Sequence, residues 1–450
     1  MNILEKNREL YRNIFGIALP IALQNLIIFA VSATDTFMLG RLGEIQLSAS
    51  AQANQPQFVF MILTFGLAGG GSVLTAQYWG KKDLEAVKIV IGIVLRVSAV
   101  VSLILSCAVL IFPREIMSFY LKDPAVIEEA VKYLRIVGWG YFFFGISNTF
   151  INIIRSVEIV KISVIISLAS FFLNAVLDYV LIFGKFGAPR LEIEGAAIGT
   201  LCARILEFVI ITVYALFIDK KLTFKIKYIF KRHKQLSKDY VKYSIPVVCN
   251  ELMWALGITL QAAILGKLST EIVSASSISN VLQQLATIAI FGVANAASVI
   301  VGKKIGEGNL KEAKSTAFSI MIISFIAGFL ASVLMFVLRK QFVSIYNITE
   351  ETRILSENLL IITSVLVFFV SVSATSIVGV LRGAGDTKFC LKLEIIVLWF
   401  VAIPLGLAAA FIFNAPALLT FALLKIDEPI KSVIAFIRTL KDKAYRNITR

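Results

Sequence analysis

Long apolar stretches alternate with short polar segments along almost the whole chain. The hydrocarbon core of a bilayer is about 30 Å thick, so about 20 apolar residues cross it as one helix. Twelve stretches reach this length, and we number them spans 1 to 12: residues 13–39, 55–77, 89–112, 131–153, 162–184, 195–218, 243–265, 279–301, 315–338, 358–381, 389–413 and 416–438. The pattern predicts twelve transmembrane helices.

The first spans of the chain recur in its second half. Residues 20–88 align without a gap with residues 246–314, and the loop glycine Gly80 falls on Gly306. A shared apolar bias does not align glycines, prolines and a charged loop in one register. The chain is therefore predicted to contain two copies of one six-span unit.

An even number of spans gives both copies the same orientation, and an axis along the membrane normal then relates them. We expect an all-α polytopic membrane protein with twelve transmembrane helices in two parallel-repeat six-helix lobes, residues 1–218 and 243–450, joined by a cytoplasmic linker at 219–242. The first span of each copy carries a proline, Pro20 or Pro246. Because proline lacks the N–H that holds a helix turn, these positions are candidate hinges, with a static kink as the alternative.

The composition also indicates a membrane protein, since 58% of the residues are hydrophobic, 16% are charged and mean hydropathy is +0.85. The net charge of +15 comes mostly from segments that share one side of the membrane when both termini are cytoplasmic. Cytoplasmic loops carry such an excess of Lys and Arg. Nucleic-acid binding by the basic run 220–242 is the weaker alternative, because membrane spans border it on both sides. We expect a monomer in the plasma membrane of a prokaryote-like cell.

The sequence offers little for catalysis. Its four cysteines are scattered singly, its one histidine, His233, lies in the linker, and it contains no HExxH or GxSxG motif. We expect no enzyme, no catalytic residue and no bound cofactor.

Carboxylates inside a bilayer are costly unless they are paired or hydrated, so each one in a span is a functional candidate. Asp35 lies near the outer end of span 1, and Asp178 lies at nearly the same depth in span 5. Asn174 is one turn before Asp178 and shares its helix face. The three side chains predict an oxygen-rich site for a proton or for a hard cation such as Na⁺, with structural hydrogen bonding as the alternative.

The second copy does not repeat these carboxylates. In the repeat register, Gln261 stands opposite Asp35, whereas Glu251 stands opposite Asn25. Glu251 is therefore a separate candidate, nearer the inner side, for cation coupling or for structural hydrogen bonding. The charged residues of spans 6 and 12 are spaced three and four apart, so we expect them to neutralise each other along one helix: Arg204, Glu207, Lys425, Asp427, Glu428 and Lys431.

With these residues the chain resembles the multidrug and toxic compound extrusion (MATE) family, of the bacterial NorM-like type, over almost its full length. The segments that carry the resemblance are DTFMLG at 35–40, NAVLDY at 174–179, GAAIGT at 195–200, Arg204 with Glu207, LRGAGDTK at 381–388, and DEP at 427–429 followed by Arg438.

The resemblance implies export of amphipathic organic cations against inward flow of Na⁺ or H⁺. By motif match it places Asp35, Asn174 and Asp178 in the cation site of the first lobe, with Thr200 as a weaker match. Glu251 matches an acid in span 7 of NorM-like members.

One departure concerns span 10. Where many NorM-like members carry an aspartate, this chain has Ser371, which puts a second-lobe cation site built on Glu251 in doubt.

We therefore expect a secondary multidrug antiporter that works by alternating access. A flippase for lipid-linked precursors is the first alternative and predicts a strongly cationic cavity, against which the few Lys and Arg within the spans argue. A non-transporting membrane receptor or assembly protein is the second alternative.

Overall fold

The computed structural model describes residues 3–449. Within that range the chain forms helices and no strand, which confirms the all-α fold class. The helices are α1 Ile3–Gly40, α2 Glu44–Gly80, α3 Leu84–Ile111, α4 Pro113–Tyr120, α5 Pro124–Arg155, α6 Lys161–Phe183, α7 Glu192–Ile218, α8 Lys227–Phe230, α9 Lys234–Gly266, α10 Thr270–Gly306, α11 Leu310–Val343, α12 Glu350–Leu381, α13 Thr387–Ile412, α14 Ala417–Leu424 and α15 Asp427–Thr439.

Spans 1 to 11 correspond to the eleven long helices α1, α2, α3, α5, α6, α7, α9, α10, α11, α12 and α13. Ten of the described helices are long and apolar enough to cross a membrane. The long helix that is not among these ten is α5, whose uncharged part, residues 136–154, includes Asn148 and Asn152. Span 12 is not one helix, because α14 ends at Leu424 and α15 begins at Asp427.

The loops after α2 and after α10, which are equivalent in the two copies, each cap the start of the next helix in the same way. The side chain of Asp83 accepts a hydrogen bond from the N–H of Ala86 at 3.0 Å, and Asn309 accepts one from the N–H of Glu312 at 3.1 Å. An N-cap of this kind satisfies a backbone donor that has no partner within the helix. The shared cap agrees with the repeat register.

Four of the apolar cores each belong largely to one copy. In the sequence, the buried residues of the cores around Val90 and Tyr141 all lie at or before Tyr240. Those of the cores around Leu359 and Leu360 all lie at or after Ile264. The division into two lobes at 218 and 243 stays a prediction. Residues 234–242 of the predicted linker are the first turns of α9, and α8 lies within the linker.

A fifth core joins the two copies. It combines Ile14, Ile17 and Ile21 of α1 with apolar residues of α10 to α13. Close to this core, the ends of α2 and α10 cross in a pseudo-symmetric way. A Cβ on Gly80 of α2 would overlap the carbonyl group of Lys303 in α10. In the same way, a Cβ on Gly306 of α10 would overlap the carbonyl group of Gln77 in α2. The missing side chains allow these helix ends to touch.

Candidate functional site

The predicted first-half site lies where α1, α5, α6 and α7 meet. Asp35 is five residues before the end of α1, and Asp178 is five residues before the end of α6. At about 1.5 Å per residue, equal distances from the helix ends place both carboxyl groups at similar depth. The structure brings them together, close enough for the charge of Asp35 to act on Asp178.

Three of the four carboxyl oxygens of Asp35 and Asp178 have no hydrogen-bond donor among the described residues. Asp178 is fully buried, and neither of its carboxyl oxygens has a hydrogen-bond partner among the described residues. The same holds for Oδ1 of Asp35 and for Oδ1 of Asn174, which is 2% exposed. Buried polar atoms in proteins normally have partners. Facing acceptor oxygens without a donor fit a bound cation or a shared proton.

The small residue at position 199 of α7 makes room for the carboxylate. A Cβ on Gly199 would overlap Oδ1 of Asp178. The next residue, Thr200, is 8% exposed and interacts with the hydroxyl of Tyr133 from α5. Tyr133 also interacts electrostatically with both aspartates. The structure thus brings Asp35, Asn174, Asp178 and Thr200 to one place, and their role in cation coupling stays a prediction.

The sequence analysis missed Tyr133 and Gly199. Nothing in the local sequence distinguishes Tyr133 from the other aromatic residues of α5, and Gly199 lies inside a matched motif without a chemical group of its own. Only the crossing of α5, α6 and α7 identifies them.

The predicted pair in span 6 lies beside this site. Arg204 donates to both carboxyl oxygens of Glu207, at 3.0 and 2.9 Å, and the hydroxyl of Ser170 donates to Glu207 at 2.8 Å. The charge of Arg204 also acts on Asp35. The expected neutralisation along one helix is therefore confirmed for this pair.

In the second half, Glu251 is not a free acid. Its Oε1 accepts from Nη2 of Arg382 at 2.5 Å, and both side chains are buried. The sequence analysis did not anticipate this ion pair. Ser371, at the departure from the family pattern, exchanges hydrogen bonds with Ser324 of α11. A coupling role for Glu251 stays a prediction.

The expectation that the charges of span 12 neutralise one another along one helix is confirmed for Lys431 with Asp427 and Glu428, and it is wrong for Lys425. The helix is interrupted between α14 and α15, and Lys425 donates to Gln261 of α9 at 2.8 Å. Lys431 is buried and contacts Asp427 at 2.8 Å, Glu428 at 3.1 Å and Glu394 of α13 at 3.3 Å. A single lysine therefore lies among three acids from two helices.

The two copies also meet through an ion pair at the end of the molecule opposite to Asp35. Glu158, in the loop after α5, binds Nζ of Lys303 of α10 at 2.6 Å and accepts from the indole of Trp79 at 3.2 Å. Burial opposes ionisation of Glu158, but these hydrogen bonds and nearby lysines outweigh it and lower its pKa. Pro20 and Pro246 lie inside α1 and α9, and their role as hinges stays a prediction.

Known proteins resemble this chain along most of its length. The family model MatE matches residues 20–180 and 246–408, so each match covers one copy of the repeat. An uncharacterised transporter, YisQ, of Bacillus subtilis is 23% identical over 413 residues, which cover 90% of this chain and 88% of YisQ. A probable multidrug resistance protein NorM of Thermotoga maritima is 23% identical over 403 residues, which cover 89% and 86%.

A solved structure has the same fold. A MOP superfamily transporter from Pyrococcus furiosus, described as having a binding pocket of reverse polarity, superposes with a TM-score of 0.85 at 17% identity, covering 95% of this chain and 94% of that one.

Fold, repeat and buried polar site define an integral membrane transporter with multiple helical spans. The chain belongs to the MatE family, whose two matched regions take up more than half of its length. The resemblance to NorM-like multidrug and toxic compound extrusion transporters is thereby confirmed.

Proposed function

We propose that the protein is a secondary antiporter that exports amphipathic organic compounds, cations among them, against an inward flow of Na⁺ or H⁺. The observation that supports this most strongly is the facing pair Asp35 and Asp178, with buried oxygens that lack donors. Two carboxylates in a low-dielectric site repel, and a cation or proton between them removes that repulsion. We assign Asp35, Asn174, Asp178 and Thr200 to this coupling site.

Helix α1 can link the site to the contact between the two halves. Its outer part carries Asp35 and lies against α6, whereas Ile14, Ile17 and Ile21 belong to the core shared with the second half. A change in the position of Asp35 on cation binding is therefore transmitted to the opposite end of the molecule. If substrate and cation favour different arrangements of α1, their binding is competitive, which is the coupling that antiport needs.

Transport by purified protein in lipid vesicles tests this function. A fluorescent organic cation is loaded, and a Na⁺ gradient and a pH gradient are imposed in separate experiments. We expect dye movement under at least one gradient and none when the gradient is dissipated. A folded protein that moves no dye under either gradient would favour the receptor or assembly alternative.

A further inference from the structure

A small cavity lies between the two halves and is lined by positive charge. Its volume is about 40 Å³, and the two charged residues among its described lining side chains are both arginines, Arg155 and Arg382. By the same measure a single water needs roughly 10–15 Å³, so the space holds a carboxylate or a chloride but not a whole drug-sized molecule.

Arg155 and Arg382 hold equivalent places in the two copies. Arg155 is the last residue of α5, and Arg382 follows the last residue of α12. Arg155 donates to the amide oxygen of Gln24, as Arg382 donates to that of Asn250, the residue opposite Gln24 in the repeat register. Both guanidinium groups are at least nine-tenths buried.

The two arginines differ in their acidic partner. Arg382 has Glu251, but the equivalent place in the first copy is Asn25, which carries no charge. The partners of Arg155 are the neutral oxygens of Gln24 and Asn152, and its Nε has no partner among the described residues. A buried charge without a counterion costs several kcal/mol, so the site favours an anion.

We propose that Arg155 binds an anionic group, a carboxylate or a phosphate, carried by molecules that the protein exports. The guanidinium fork suits such groups because it donates two parallel hydrogen bonds to them. Asn152, Ser156 and Ser298 line the same cavity and offer further polar contacts. This inference rests on the proposed export function and extends its substrates to amphipathic anions and zwitterions.

A matched pair of dyes tests the site. Rhodamine B carries a free carboxylate at neutral pH, and its ethyl ester lacks that charge but keeps the rest of the molecule. Binding to purified protein in nanodiscs of neutral lipid is measured by fluorescence anisotropy in sodium HEPES buffer, whose anion is a bulky sulfonate and not a carboxylate. We expect the wild type to bind the acid about tenfold more tightly than the ester, as a charge-assisted hydrogen-bonded pair provides.

Two substitutions should remove this preference by different routes. Arg155→Gln deletes the charge, and Asn25→Glu supplies the acid that Glu251 supplies to Arg382. If Arg155→Gln does not fold, Asn25→Glu decides the question, because it adds a counterion rather than leaving a charge unpaired. Arg135→Gln, at an exposed arginine of the same helix, should keep the preference.

Three outcomes would overturn the proposal. They are equal binding of acid and ester by the wild type, a preserved preference in Asn25→Glu, and loss of the wild-type preference when chloride replaces the HEPES anion at equal ionic strength. The last would assign the cavity to small inorganic anions. These binding measurements involve no gradient, so they test the anion site alone. Failure of the protein to transport the ester under a gradient would instead count against the antiport function.

Discussion

Oδ1 of Asp178 lies only 2.0 Å from the position that a Cβ on Gly199 would take. The carboxylate on α6 can therefore approach α7 only because residue 199 has no side chain. The coupling site depends on this space as well as on the groups that bind the ion.

Gly199→Ala should impair transport without removing any binding group. The added methyl group displaces the carboxylate of Asp178, and overpacking of this kind costs typically 1–3 kcal/mol. We expect the apparent affinity for the coupling cation to fall about tenfold or more, measured as the cation concentration that half-saturates dye efflux. Gly16→Ala is the control, since a Cβ at residue 16 of α1 has no neighbour within 4 Å. Equal behaviour of the two variants would argue against the tight contact.

The ion pair between Glu158 and Lys303 should hold the two halves together at the end where Gly80 meets Gly306. The charge reversals Glu158→Lys and Lys303→Glu should each increase hydrogen exchange at the end of α10, and the double variant should restore protection. A coupling energy near zero in this double-mutant cycle would show that the pair does not hold the halves together.

This contact should also depend on pH. The pKa of Glu158 is lowered from its ordinary value of 4.5, so the paired arrangement is favoured above that pH and loses this contribution as the pH falls through the lowered pKa. Protection at the end of α10, which is the intrinsic exchange rate at a given pH divided by the measured rate, should therefore fall in acid in the wild type. In Glu158→Gln this protection should already be low at neutral pH and should change less.

Glu251→Gln should destabilise the protein more than it impairs coupling. Removal of one partner from a buried ion pair leaves the charge of Arg382 uncompensated, which typically costs 3–5 kcal/mol. Thermal unfolding in detergent should show a lower Tm, and Glu251→Gln with Arg382→Gln should recover part of it. Gradient-driven efflux should stay measurable. Its complete loss in a folded, normally expressed protein would move the coupling site to the second half.

The predicted topology places the linker in the cytoplasm. Arg232→Cys in a cysteine-free background should not react with a membrane-impermeant thiol reagent added to intact cells, and should react once the cells are opened. Labelling in intact cells would reverse the predicted orientation of every span.

Hydrophobic periodicity and the internal repeat were enough to predict much of the fold and the first-half site. The long helices of spans 1 to 11, the pairing of Asp35 with Asp178, and the neighbouring Asn174 could be derived from span length and from depth along a helix. The ion pair of Glu251 with Arg382 could not be predicted, because the two residues are 131 positions apart and no local pattern joins them.

The same reason explains the error about Lys425 in the last span. Lys431 pairs along its own helix as its spacing predicts, but Glu394 also approaches it from α13, and Lys425, at the interruption, contacts Gln261 of α9 instead. Tertiary contacts decided the outcome at both places.

The most direct test of the account is gradient-driven efflux by Asp35→Asn and Asp178→Asn in lipid vesicles, with Asp442→Asn, at a carboxylate that is 91% exposed, as the control. Each amide keeps the shape of the side chain but cannot hold the charge that attracts a cation or proton. Both variants should be folded and inserted, and neither should move dye under a Na⁺ or a pH gradient, while the control should behave as wild type. If either variant, at matched protein amount, moves dye at the wild-type rate under both gradients, that carboxylate does not couple ion flow to export.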